Sequence, residues 1–87
     1  MDYEDELSLI LANYGTEEIT DWVIKCGTPL ERTWWAIKLL EMDTGDHFTN
    51  AQQIDAWGLQ KTQAIRVAGF RLLRKLVKAF LGIKAHQ

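Results

Sequence analysis

Residues 49–66 read Thr49-Asn50-Ala51-Gln52-Gln53-Ile54-Asp55-Ala56-Trp57-Gly58-Leu59-Gln60-Lys61-Thr62-Gln63-Ala64-Ile65-Arg66. Thr49 with Gln52 has the spacing of a capping box, in which two side chains satisfy backbone donors left orphaned at a helix start. The box opens a short helix through Ile54 to Trp57, and Gly58 is placed to end it. A longer helix begins near Lys61 and continues through Lys84 or so. In it Ile65, Ala68, Leu72, Leu76 and Ala79 form one apolar stripe at 100° per residue.

Upstream, the same signals recur. Leu7, Ile10, Leu11 and Tyr14 fall at i, i+3, i+4 and i+7 ahead of Gly15, with Asp5 and Glu6 at the end of the helix dipole that favours negative charge. Thr16 is the expected cap of a second helix in which Ile19, Trp22, Val23 and Cys26 repeat the spacing before Gly27. By that spacing Cys26 belongs to the core, and no nearby histidine would activate it. Thr28-Pro29-Leu30-Glu31 combines a second capping box with a proline at the first helical position. The third helix, through Trp34, Trp35, Ile37, Leu39, Leu40 and Met42, is apolar on more than one side and reads as the central one, with its tryptophans in the core. Asp43-Thr44-Gly45-Asp46-His47 makes a polar loop. No alternating β-branched run appears, so the expectation is an all-α single domain over 1–87, a small bundle of about five helices.

Composition narrows the function classes. With 87 residues, 47% of them apolar, the chain has the length and core material of one domain. Its longest apolar runs fall far short of a membrane span, and the start Met1-Asp2-Tyr3-Glu4-Asp5-Glu6 is acidic where a secretory signal is basic, so a cytoplasmic protein is expected. One cysteine and two separated histidines supply too few ligands for a structural zinc, and no metal or cofactor is expected. With no Gly-rich phosphate loop and no nucleophile paired with a base, the chain does not read as an enzyme. The net charge of −2 hides a strong asymmetry. Residues 1–46 set eleven acids against three cations, a net of −8. Residues 47–87 set seven cations against one acid, a net of +6. A basic half points to an anionic partner, nucleic acid above all, although two oppositely charged halves also attract each other.

A short helix, a glycine-containing turn and a long basic helix outline a helix-turn-helix at about 49–81, whose second helix fits the roughly 12 Å major groove; an ordinary helical hairpin has the same outline. The text itself resembles the fourth region of bacterial sigma factors and its relatives, which include LuxR-type regulators and phage antiterminators of the Q type. Ile54 and Ile65 reproduce that family's eleven-residue spacing, and Leu73-Arg74-Lys75-Leu76 its helix ending. The likeness covers about residues 49–78 and departs at the turn, where Gly58 comes one residue early behind bulky Trp57. It implies a DNA-binding transcription regulator, phage-encoded and acting with RNA polymerase.

On the long helix Arg71, Arg74, Lys75 and Lys78 share an arc of about 100° opposite the apolar stripe, which suits phosphate contacts. Nearer its start, Lys61, Thr62, Gln63, Arg66 and Val67 are the expected base-contacting residues, Gln63 for an adenine edge and Val67 for a thymine methyl. Phe70, Leu73, Val77, Phe80 and Leu81 widen the apolar arc beyond what a lone small domain covers, which points to a homodimer or to docking on another protein. The alternative from another class is a small helical inhibitor or adaptor that binds a host protein through its acidic or apolar surface. The partners expected are therefore double-stranded DNA, RNA polymerase or another host protein, and a second copy of the chain, with no membrane.

Overall fold

A computed structural model describes residues 3–82, with side chains from Asp5 onward. Five α-helices follow one another: Tyr3–Tyr14 (α1), Thr16–Cys26 (α2), Pro29–Thr44 (α3), Asn50–Trp57 (α4) and Leu59–Leu76 (α5). A π-helical turn, Val77–Leu81, continues α5, and Lys84 lies outside the described residues. The protein is all-α.

Both capping boxes form. The Thr28 hydroxyl accepts from the Glu31 N–H at 3.2 Å while Glu31 Oε1 accepts from the Thr28 N–H at 2.9 Å. Thr49 and Gln52 do the same at 3.1 and 2.9 Å. Two starts differ from the sequence reading. Gly15, not Thr16, is the N-cap of α2, and no side chain caps that helix. α5 begins at Leu59, two residues before Lys61, because Gly58 alone makes the turn. The Gly58 N–H closes α4 on the Ile54 carbonyl at 2.7 Å, and its own carbonyl accepts the Thr62 N–H at 3.1 Å. Its φ of +88° is a conformation that side chains resist. This one-residue connection is shorter than the three- to four-residue turn of a helix-turn-helix.

The core gathers Leu7 and Ile10 of α1, Ile19 and Val23 of α2, Trp35 of α3, and Leu72, Leu73 and Leu76 of α5. The Trp35 indole N–H donates to the Thr20 hydroxyl at 2.9 Å, so the ring is buried without an orphan donor. α5, not α3, is the central helix, since α1, α3 and α4 all pack on it. Leu40 and Met42 of α3 are exposed, because that helix has neighbours on fewer sides than its composition suggests. Cys26 is exposed too: at the last position of α2 it lies past the reach of the packing that buries Ile19 and Val23. Ala79 also leaves the expected stripe and is exposed, since the π turn changes the angular step after Leu76.

The wide apolar arc of α5 is covered largely from within the chain. Phe80 stacks edge-on against Tyr14 at 5.0 Å and Trp22 at 6.0 Å, and the Tyr14 hydroxyl donates to the Phe80 carbonyl at 2.6 Å. Leu73 is buried, and Val77, Phe80 and Leu81 are half-buried; only Phe70 of this group is mostly exposed. Leu73, Val77, Phe80 and Leu81 are thus covered without a second copy, and Phe70 is not.

Candidate nucleic-acid interface

α5 divides sharply into two faces. Thr62, Ile65, Ala68, Gly69, Leu72, Leu73 and Leu76 are buried. At 100° per residue, Gln60, Gln63, Val67, Arg71 and Arg74 lie within about 40° of one line on the opposite side, and all are exposed. From Gln60 to Arg74 this ridge runs about 21 Å at 1.5 Å per residue. Lys78, also exposed, prolongs it on the π turn. The ridge changes character along its length, with amides and a valine first and cations after.

Of the residues assigned to base contact, the structure brings Gln63 and Val67 together on the ridge. Arg66 is exposed on its flank and reaches the Asn50 amide oxygen of α4 at 3.4 Å. Lys61 is exposed but points about 120° away from Val67 around the helix. Thr62 is a correction: it is fully buried, and its hydroxyl folds back to donate to the Gly58 carbonyl at 2.8 Å, so it does not present itself to a partner. With α5 starting at Leu59, Gln60 takes a place on the ridge that an assumed start near Lys61 had hidden.

Among the cations assigned to phosphate, Arg71, Arg74 and Lys78 follow the ridge, whereas Lys75, also exposed, is tied to a buried carboxylate of α3. Its ammonium lies 2.9 Å from Oε1 of Glu31, whose side chain is 1% exposed. Burial alone would raise the Glu31 pKa. The Thr28 N–H, the Lys75 ammonium and the Thr28 hydroxyl outweigh it, and the carboxyl is held below its ordinary value. The same carboxylate thus completes the α3 capping box and ties the start of α3 to the end of α5. The sequence announced the first role but gave no signal for the second, because 44 positions separate the partners.

Beside the ridge, α3, α4 and α5 enclose a cavity of about 380 Å³ with apolar walls that include Trp34, Ile37, Phe48, Phe70 and Leu73. Glu41 organises its rim. One carboxylate oxygen accepts the Phe48 N–H at 2.7 Å and lies 3.2 Å from His47 Nδ1, while the other lies 3.5 Å from Lys38 Nζ. The Gln53 amide donates to the Phe48 carbonyl at 3.0 Å, which fixes the loop between α3 and α4 against α4.

Compared with family models, with curated proteins and with solved structures, the chain matches none of them.

Proposed function

We propose that the protein is a DNA-binding transcription regulator that lays the exposed face of α5 in the major groove, acting with RNA polymerase in the cytoplasm of a phage-infected cell as the sigma-factor resemblance implies. The observation that carries the reading is the composition of one continuous element. Residues 59–81 hold six cations and no acid, and Arg71, Arg74 and Lys78 line the same exposed side as Gln63 and Val67. The one-residue turn places less weight on the motif outline and more on this face. Gln63 and Val67 offer an amide pair and a methyl surface to base edges, and the cations beyond them meet phosphates, which set register without reading sequence. Arg66 at the flank reaches either a guanine or a phosphate. The exposed acids lie on other elements, at Asp5 of α1, Glu17, Glu18 and Asp21 of α2, Asp43 of α3, Asp46 of the loop after it and Asp55 of α4.

The test is a duplex titration at several salt concentrations. Arg74→Ala and Lys78→Ala each weaken binding to all sequences alike and each lower the salt slope by about one. Gln63→Ala relaxes preference at one base pair, worth about 1 to 3 kcal/mol of discrimination, while non-specific affinity stays nearly intact. An unchanged slope in both cation variants makes the face merely solvated. The reading would then pass to a protein-binding module that engages a basic partner through the acids of α2.

A further inference from the structure

The cavity between α3, α4 and α5 has the size of a small-ligand pocket, within the roughly 300 to 1,000 Å³ such sites occupy. Gly69 lines it too, the space beside its Cα being filled by the Trp34 indole, and the cavity walls are aromatic and aliphatic. Aromatic rings come from three directions, Trp34 on α3, Phe48 on the loop before α4, and Phe70 on α5. The charge at its rim is asymmetric in a way that selects a ligand. Glu41 is already satisfied by the Phe48 N–H, His47 and Lys38, so the one carboxylate lining the cavity is internally neutralised. Arg66, which also lines the cavity, meets a neutral amide oxygen at 3.4 Å, at the long limit of a hydrogen bond. A guanidinium held by a long bond to a neutral acceptor exchanges it readily for a carboxylate, which it grips in two parallel bonds.

We propose that this pocket binds a small apolar monoanion, a flat aromatic carboxylate of about a dozen heavy atoms, with its ring among Trp34, Phe48 and Phe70 and its carboxylate on Arg66. The consequence for DNA rests on the reading given above. Arg66 flanks the ridge that meets the groove, and Phe70 lies between ridge and cavity on the same helix. A ligand that turns the guanidinium toward the pocket takes it away from the nucleic acid and brings a negative charge beside the cationic face, so binding of the two is antagonistic.

The probe is 2-naphthoate, with 2-naphthamide as a neutral control of the same shape, each titrated into the protein alone by calorimetry. Naphthoate is expected to bind at one site and about tenfold or more tighter than naphthamide, the effect of one charge-assisted contact. Arg66→Gln brings naphthoate down to the naphthamide level and leaves naphthamide unchanged. Phe70→Ala weakens both, and as a mostly exposed residue it leaves the helical circular dichroism intact. No saturable binding of either compound, or equal affinity for the two in the wild type, overturns the site. A second arm adds saturating naphthoate to the duplex titration. Weaker DNA binding in the wild type but not in Arg66→Gln supports the antagonism, and unchanged DNA affinity overturns it. If the protein binds no DNA at all, the regulator reading fails by itself, while the calorimetry still decides the pocket.

Discussion

Gly69→Ala is expected to lower the melting temperature by about 8 to 16 °C, the shift that about 2 kcal/mol produces in a domain of this size. Helix propensity alone gives the opposite sign. Alanine in the interior of α5 should gain about 1 kcal/mol over glycine. What reverses it is the Trp34 indole, three of whose atoms stand closer to the position of a new Cβ than real contacts allow. The obstacle is a rigid ring, half-buried against α5 with the Lys38 ammonium 5.4 Å from its centroid, so relief requires moving the ring or parting α3 from α5. Overpacking costs about 1 to 3 kcal/mol, and contacts this close against a rigid ring put this case at the upper end, which leaves about 2 kcal/mol of net loss after the propensity gain. Thermal melts of Gly69→Ala, Trp34→Leu and the double variant test the cause. If the ring is the obstacle, alanine destabilises when Trp34 is present and stabilises when leucine has replaced it, a coupling above about 1 kcal/mol. A melting temperature that rises in Gly69→Ala alone defeats the account.

The same glycine shows where sequence reading succeeds and where it stops. Helix number and most boundaries were legible because caps and breakers act within four residues: Thr28 with Glu31, Thr49 with Gln52, and Gly15, Gly27 and Gly58 all sit at helix ends. The buried stripe of α5 was legible because it follows a fixed angular step. What escaped depends on which element covers which. Composition made α3 central, yet α5 is, because contacts between helices are set by pairs far apart in sequence. Gly69 in a helix interior carried a faint signal of close approach, and nothing nearby named Trp34 as its neighbour. Cys26 carried the right spacing and still lies outside, since periodicity gives direction around a helix but not how far along it the packing extends. In the candidate interface, Gln63, Val67, Arg71, Arg74 and Lys78 could be placed on one side from angle alone. Thr62 and Lys75 could not be excluded that way, because one turns back on its own helix start and the other crosses to α3.

Lys75 leads to the second large effect, an acid-dependent loss of stability. Glu31 has a folded pKa below its unfolded value of about 4.3, so its contribution is fully present above that value and is lost as pH falls through the folded one. Lys75→Met keeps the aliphatic stem and removes the charge that helps hold the carboxylate ionised. Burial, the largest influence on Glu31, then acts with only Thr28 against it, and the folded pKa moves upward. Near neutral pH the variant must keep a buried carboxylate short of a partner. Breaking a fully buried pair costs about 3 to 5 kcal/mol. The 43% exposure of the Lys75 side chain allows water to replace part of that contact, which reduces the expected loss to about 1 to 3 kcal/mol. As pH falls through the folded value the carboxyl becomes protonated in both proteins, so the difference between them shrinks. Urea denaturation of wild type and Lys75→Met between pH 3 and 7 therefore yields stability curves that converge toward the acid end. Glu31→Gln, which can still accept from the Thr28 N–H, removes the charge instead of its partner and flattens the acid limb. Parallel curves for wild type and Lys75→Met, with a gap independent of pH, would show that the lysine contributes only its stem and that the ion pair between α3 and α5 does not stabilise the fold.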